Sequence, residues 1–205
     1  MLRVGLTGGL ASGKSTVARM LREEGAEVFD ADEIVRGLYA PGGAGEEAAR
    51  ELFGEAVSDR SGGVDRAKIA AIVFADPARR HALEARIHPL VAAARDRRFQ
   101  EAQRRGAAVA VGEASQLFEA RSEGQYDRIL LVIAPEAERL KRWEAKGGDV
   151  EDARRRMASQ LAPSEAFDRA DDVLVNDGSL EELRRRVAAL YESWTRGAAP
   201  GRTSG

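Results

Sequence analysis

The chain contains no cysteine, few aromatic residues (5%) and no marked excess of charge of either sign. Without cysteine it can form no disulfide, no thiolate nucleophile and no cysteine-based metal site, which is typical of proteins from a reducing compartment. Its 32 basic and 34 acidic residues give a formal net charge of −2, so composition gives no support for binding nucleic acid or an anionic membrane. No apolar run approaches the roughly 20 residues that span a bilayer, and the chain starts with a predicted strand rather than a signal segment. We therefore expect a cytoplasmic protein, as a monomer or weak homo-oligomer, with no nucleic-acid or membrane partner.

Short apolar segments alternate with helix-like segments along most of the 205 residues. This alternation predicts an α/β fold in three layers, with a five-stranded parallel sheet covered by helices on both faces. The predicted strands are residues 2–7, 27–30, 107–111, 128–134 and 172–175.

One block, residues 44–105, interrupts the alternation because it has no good strand pattern. Helices are predicted there at 46–53, 65–74 and 77–105, with Ser61-Gly62-Gly63 and Asp76-Pro77 as breaks. We therefore expect one domain over residues 1–195. Its core would be 1–43 and 106–195 and its inserted helical lobe 44–105, and residues 196–205 would follow the domain as a disordered tail.

A glycine-rich loop follows the first predicted strand and opens the first predicted helix. Its residues, Gly8-Gly9-Leu10-Ala11-Ser12-Gly13-Lys14-Ser15, match the pattern G-x-x-x-x-G-K-[ST] of a phosphate-binding loop, or P-loop. The glycines permit backbone angles that turn successive N–H groups toward an anion, and the helix N-terminus adds partial positive charge. Lysine in this pattern reaches the β- and γ-phosphates, and the serine hydroxyl ligates Mg²⁺. The residues predicted to bind a nucleoside triphosphate are Gly8, Gly9, Ala11, Ser12, Gly13, Lys14, Ser15 and Thr16.

Carboxylates follow two of the predicted strands at the edge of the sheet that carries the P-loop. Asp30 ends the second strand and Asp32 lies just beyond it, so both are expected to face the γ-phosphate. One could accept the proton of an attacking hydroxyl while the other holds Mg²⁺ through water. Alternatively, Asp30 only ends the strand and Asp32 caps the next helix. Glu113, after the third strand, is either a water-mediated Mg²⁺ contact or a solvated loop residue.

A basic segment surrounds Gly147-Gly148. Arg142, Lys146 and the three arginines at 154–156 could close over a bound triphosphate, with the glycines as a hinge. The alternative is an ordinary solvated charged face. Helical phase alone does not show which of the three consecutive arginines would contact the triphosphate.

Several motifs together resemble the dephospho-CoA kinase family, over residues 2 to about 194. The P-loop is shared by many kinases, but the D-A-D after the second strand, the H-P pair and the A-D-x-V-x-x-N-x-G-S near the end are jointly specific. The matching segments are LTGGLASGKST, FDADEIVRGLYAPG, HPLV, SQLFE, YDRILLVIAPEAERLKR and ASQLAPSEAFDRADDVLVNDGSLEEL.

The resemblance implies transfer of the γ-phosphate of ATP to the ribose 3′-hydroxyl of dephospho-CoA, with Mg²⁺, on a nucleotide-kinase core with a helical substrate lobe and a lid at about 139–160. By motif, Asp32 would be the general base, Lys14 and Ser15 would serve the triphosphate and metal, and Arg142 would be the lid arginine. The further residues implied are Arg36 for substrate phosphate, His88 and Pro89 for the acceptor site, and Asn176 near the adenine of ATP. Without the resemblance, His88 before Pro89 would be interpreted as a helix-kink or packing residue.

The chain departs from the family pattern at two places. The family usually has P-L-L-F-E after the third strand, where this chain has Ser115-Gln116-Leu117-Phe118-Glu119, and it commonly has a basic residue where Ala166 stands. Neither departure affects the P-loop or Asp32.

Two other functions are compatible with a P-loop. A nucleoside monophosphate kinase, or another small-molecule kinase, would share the loop, core and lid, but the large helical block at 44–105 favours a bulky acceptor. A nucleotide-dependent switch would need a positioned water and a partner surface, and no switch motif is present.

Overall fold

The computed structural model describes residues 1–59 and 63–196. The predicted break at Ser61-Gly62 and the predicted tail from residue 197 lie outside the described residues. Arg196, which we expected in that tail, is the last residue of a helix.

Five parallel strands form a single sheet, which confirms the predicted α/β class. The strand order is β2-β3-β1-β4-β5, so β1 lies in the centre and carries the P-loop at its carboxyl end. The strands are β1 (Leu2–Gly8), β2 (Glu27–Asp30), β3 (Val109–Glu113), β4 (Arg128–Ile133) and β5 (Asp172–Val175).

Helices connect the strands and account for most of the remaining described residues. They are α1 (Lys14–Glu23), α2 (Ala31–Leu38), α3 (Ala44–Phe53), α4 (Arg66–Ala75), α5 (Pro77–Arg104), α6 (Glu136–Glu144), α7 (Val150–Ala158), α8 (Pro163–Asp168) and α9 (Leu180–Arg196). Pro89 lies inside α5 without ending it. Among the described residues, no helix combines the length and the apolar character that crossing a membrane would require.

One face of the sheet forms the main hydrophobic core. Alternate residues of the central strands, such as Leu6 and Val132, are fully buried there. They pack with apolar side chains of the first and last helices, including Val17, Leu21 and Val187. This core fixes α1, and therefore the start of the helix that follows the P-loop, against the sheet.

The third strand begins and ends two residues later than expected. Gly106 adopts a left-handed conformation (φ 80°), and the N–H of Ala107 donates to Ala102 O at the end of α5, so the chain is still leaving the helix there. Strand pairing starts at Val109, opposite Leu2. Our expectation that Glu113 follows this strand was therefore wrong: Glu113 is its last residue.

Helix α8 was not predicted. It has only six residues, with a proline in its first turn and Glu165 near its N-terminus. Ala166, where the family commonly has a basic residue, is buried in it. A helix of this length has too few residues to show an apolar period, so pattern analysis gave no signal.

The chain divides into two compact units. The first comprises Met1–Asp30 and the described residues from Phe99 onward, and it contains the sheet. The second, Ala31–Arg98, is helical and has a small core of its own, in which Ala49, Val57 and Ile87 are buried. This helical unit starts earlier than the lobe expected at 44–105 and includes α2.

Candidate active site

The P-loop has the backbone geometry that its glycines predicted. Gly13 has a φ of 98°, a conformation that L side chains rarely adopt, and Ala11, two residues earlier, is also left-handed (φ 56°). A Cβ at Gly13 would overlap the side-chain amide of Asn176, and one at Gly8 would overlap the carbonyl of Val132. Both glycines are therefore required by close approach, and α1 begins directly after the loop, at Lys14.

Lys14 and Ser15 are brought together with Glu113 from β3. The Ser15 hydroxyl donates to Glu113 Oε1 at 3.0 Å, and Lys14 Nζ lies 3.6 Å from the same oxygen. Lys14 Nζ also donates to Ser115 Oγ at 2.9 Å. The hydroxyl of Ser115, at a position where the family usually has proline, therefore contacts the P-loop lysine.

Asp30 is the neighbour of Glu113 in the sheet. The two residues are register partners at the carboxyl ends of β2 and β3. The side chains of Asp30, Glu113 and Ser15 carry oxygen donors, the type of ligand that Mg²⁺ prefers. In the described ranges, no group of three or more His, Cys, Asp or Glu side chains could hold a metal by itself.

Arg142 and Asn176 both hold the backbone of the P-loop. Asn176 is 7% exposed, and its Nδ2 donates to Ser12 O at 2.8 Å. Arg142, on α6, donates to Ser12 O (3.3 Å) and to Asn176 O (3.0 Å). The two residues therefore support the loop on the side of β4 and β5, where β5 ends just before Asn176.

The arginines of α7 make their contacts within residues 139–160, the predicted lid. Arg154 pairs with Glu151, and both Arg155 and Arg156 pair with Asp152. The three side chains are largely exposed, as in the alternative interpretation of a solvated charged face.

The remaining predicted site residues belong to the helical unit. Asp32 is in the first turn of α2, two residues after β2 ends, and Arg36 follows one turn later on the same helix face. His88 and Pro89 are exposed residues in the interior of α5. The roles of these four residues stay predictions.

Two residues that sequence analysis missed also contact the P-loop. Arg139 Nε donates to Leu10 O at 2.7 Å, and Gln160 Oε1 accepts from the Leu10 N–H at 3.0 Å. Both lie far from the loop along the chain, and neither belongs to a pattern with a known mechanism. Both lie inside segments that carry the family resemblance, but no motif assigned a role to either residue.

A small cavity lies beside these contacts. Its volume is about 110 Å³, and its lining includes Gly9, Ser12, Ser115 and Gln160. The hydroxyl of Ser12 is buried and has no hydrogen-bond partner among the described residues. The cavity is large enough for water to reach this part of the loop.

Comparison with solved structures first defines the class of protein. The crystal structure of TT1252 from Thermus thermophilus matches with a TM-score of 0.75 at 39% identity, covering 94% of this chain and 97% of that one. A shikimate kinase from Acinetobacter baumannii matches with a TM-score of 0.50 at 15% identity, covering 94% of each chain, and this likeness concerns the fold alone. The parallel sheet and the P-loop define a P-loop kinase fold.

Comparison of sequences then gives the family. The family model described as dephospho-CoA kinase matches residues 2–182. A dephospho-CoA kinase of Frankia casuarinae is 42% identical over 192 residues, covering 94% of this chain and 83% of the relative. One from Chlorobaculum tepidum is 41% identical over 196 residues, covering 94% of each. The chain belongs to the dephospho-CoA kinase family, which confirms the resemblance, and it is an enzyme of the phosphotransferase class that uses ATP as co-substrate.

Proposed function

We propose that this protein transfers the γ-phosphate of ATP to the ribose 3′-hydroxyl of dephospho-CoA, giving coenzyme A and ADP, the final step of CoA biosynthesis. The observation that carries the proposal is the family match over residues 2–182, together with a complete P-loop inside it. The contacts of Lys14 and Ser15 with Glu113 support it, because phosphoryl transfer needs a cation and an oxygen ligand beside the γ-phosphate.

On the nucleotide side, the N–H groups of the P-loop cradle the β- and γ-phosphates, and Lys14 contacts them. The Ser15 hydroxyl would hold Mg²⁺, and Asp30 or Glu113 would contact it through water. When bound, Mg²⁺ supplies positive charge that offsets the charge of the phosphates. The Ser15 hydroxyl donates to Glu113 at 3.0 Å, so Glu113 would lie close to a metal ion held by Ser15.

On the acceptor side, Asp32 accepts the proton of the 3′-hydroxyl as it attacks the γ-phosphate. Its position two residues beyond β2 supports this role, because active-site groups of open parallel sheets lie beyond the carboxyl ends of the strands. Arg142 offsets charge on the transferred group, and Asn176 lies near the adenine. The residues assigned to the acceptor are Asp32, Arg36, His88 and Pro89.

We also propose that the enzyme works in the cytoplasm, as a monomer or weak homo-oligomer and without nucleic acid. The nearly balanced charge supports the last point, because nucleic-acid binding is driven largely by basic surface charge. Light scattering of the purified protein tests the oligomeric state, and cell fractionation tests the location.

The direct test is an ATP-consumption assay with a panel of acceptors. With ATP and Mg²⁺, dephospho-CoA is expected to be phosphorylated, whereas AMP, CMP and adenosine are expected to react poorly. Efficient phosphorylation of AMP or CMP instead would favour the nucleoside monophosphate kinase alternative.

The test of the base is Asp32→Asn. We expect turnover to fall by a factor of about 10² to 10⁴, as removal of a general base typically does, with ATP binding nearly unchanged. Asp168→Asn is a matched control, because Asp168 is exposed at the end of α8. Full activity of Asp32→Asn would show that the base is assigned wrongly.

A further inference from the structure

Both backbone groups of Leu10, in the P-loop, are held by side chains from distant parts of the chain. The Leu10 N–H donates to Gln160 Oε1 at 3.0 Å, and the Leu10 carbonyl accepts from Arg139 Nε at 2.7 Å. Arg139 Nη2 also donates to Gln160 Oε1, at 3.2 Å. The three hydrogen bonds close a ring around a single loop residue.

Arg139 and Gln160 stand at the two ends of the lid segment. Arg139 lies in α6, and Gln160 comes two residues after the end of α7. The segment made of α6, α7 and the turn between them is therefore hydrogen-bonded near both of its ends to the same P-loop residue, Leu10. Leu10, Arg139 and Gln160 all belong to the same compact unit.

The ring holds the part of the loop that precedes its strained residue. Ala11 is left-handed (φ 56°), a conformation that a non-glycine residue adopts only at a cost in free energy. The Leu10 carbonyl belongs to the peptide that leads into Ala11, and the Leu10 N–H belongs to the peptide before it. Fixing both peptides favours the strained turn over relaxed alternatives.

The guanidinium of Arg139 is packed closely against this turn. A Cβ added at Gly9 would lie 2.7 Å from Arg139 Nη2, so a larger residue there would displace the end of this side chain. Burial lowers the pKa of Arg139 from its ordinary value. Its hydrogen bonds go to a backbone carbonyl and an amide oxygen rather than to a carboxylate, which is the pattern of a group that holds backbone in place.

We propose that Arg139 and Gln160 are positioning residues, which keep the P-loop in its nucleotide-binding conformation and fix both ends of the lid segment to it. They act through Leu10 rather than through the phosphates. This positioning role rests on the proposed function only for the identity of the ligand, which is taken to be an adenine nucleotide. It is separate from the contacts of Arg142 and Asn176, which hold the loop at Ser12.

The first test is Gln160→Leu, which keeps the approximate size of the side chain and removes the shared acceptor. The Leu10 N–H and Arg139 then each lose a partner. We expect the dissociation constant of ADP, measured by calorimetry, to rise about tenfold, which corresponds to about 1.4 kcal/mol. We expect KM for ATP to rise by a similar factor, while KM for dephospho-CoA changes less than about twofold. Amide hydrogen exchange at Leu10 should become faster.

The second test separates positioning from charge. Arg139→Lys keeps a positive charge but replaces the planar fork, so one ammonium cannot reproduce both hydrogen bonds. We expect Arg139→Lys to weaken ADP binding as much as Arg139→Met does. If Arg139 acted as a phosphate-binding cation, lysine would preserve most of the affinity, and that result would overturn the proposal.

A double mutant supplies the third test. Because the two residues close one ring, combining Arg139→Met with Gln160→Leu is expected to weaken ADP binding little more than either change alone. Fully additive effects would contradict the ring. Gln103→Leu, at an exposed position near the end of α5, is the matched control and should bind ADP normally.

ADP binding requires no acceptor, so this outcome is independent of the substrate. A protein that fails to phosphorylate dephospho-CoA but shows the expected ADP pattern would contradict the proposed function alone. Normal ADP affinity in a folded Gln160→Leu protein would contradict the positioning role alone.

Discussion

Replacing Asn176 with alanine tests whether this residue acts on the P-loop or on the base of the nucleotide. The side chain is 7% exposed, and its Nδ2 donates to Ser12 O at 2.8 Å. After truncation, the longer hydrogen bond from Arg142, at 3.3 Å, is the only side-chain contact that the described residues still make with the carbonyl of Ser12. The loop therefore loses its shorter support on this side.

The expected size of the effect follows from these distances. Leaving a buried polar group without its partner costs about 1–3 kcal/mol. Because Ser12 O keeps one donor, we expect the lower part of this range, about 1–1.5 kcal/mol, or roughly a 5- to 12-fold weaker binding of phosphates. The change should appear mainly in binding, since Asn176 is bonded to the loop backbone and not to a group that exchanges protons.

Two ligands distinguish a loop support from a base contact. ATP and inorganic tripolyphosphate are titrated calorimetrically into the wild type and into Asn176→Ala. If Asn176 supports the loop, both ligands weaken by a similar factor, and any additional loss for ATP measures a contact with adenine. Unchanged tripolyphosphate affinity, with only ATP weakened, would contradict a role of Asn176 in supporting the loop. Asp177→Ala is the control, because the exposed carboxylate of Asp177 pairs with Arg186 on the surface.

Two further predictions concern the turn between α6 and α7, in the predicted lid, and the last helix, α9. A Cβ at Gly148 would overlap the indole of Trp143, whose Nε1 donates to Asp149 O at 3.0 Å. Gly148→Ala should therefore displace the indole and shift its fluorescence to the red, and overpacking of this kind typically costs about 1–3 kcal/mol of stability. An unchanged fluorescence spectrum would contradict the close packing of Gly148 against Trp143. The backbone N–H and the hydroxyl of Ser179 donate to Glu182, which holds the pKa of Glu182 below its ordinary value. The stability that these hydrogen bonds give to the folded protein is complete above the ordinary carboxyl pKa and is lost as the pH falls through the lowered pKa of Glu182. In thermal unfolding, the Glu182→Gln protein should therefore lose less stability than the wild type between neutral and acid pH.

Each of these two predictions has a control. Gly124→Ala meets no atom within 4 Å at its new Cβ and should leave the tryptophan fluorescence unchanged. Glu181→Gln changes the neighbouring exposed carboxylate and should keep the pH dependence of the wild type. An equal pH dependence in Glu182→Gln and wild type would contradict the role of the Ser179 hydrogen bonds.

Much of the fold could be predicted because its signals are local. The second and fifth strands have the predicted limits, and α1 to α5 lie close to their predicted ranges, since apolar period and glycine or proline breaks depend on neighbouring residues. The errors have local causes too. The third strand starts later because the end of α5 extends through the turn at Gly106, and α8 is too short to show a period.

The candidate site was predictable in part. The P-loop was identified because its residues are consecutive and each has a defined chemical role. Arg139 and Gln160 were missed because their importance comes from what they contact and not from what surrounds them in sequence. The contact between Lys14 and Ser115 was missed for the same reason, although the departure at Ser115 was visible in the motif.

The parallel α/β core and the P-loop follow from the sequence alone, because each depends on patterns of adjacent residues. Which other groups surround that loop depends on the tertiary structure. Glu113 meets Ser15 from 98 residues away, and Gln160 meets Leu10 from 150 residues away. The order of the strands, with β1 between β3 and β4, brings these segments to the same edge of the sheet, and no local pattern specifies that order.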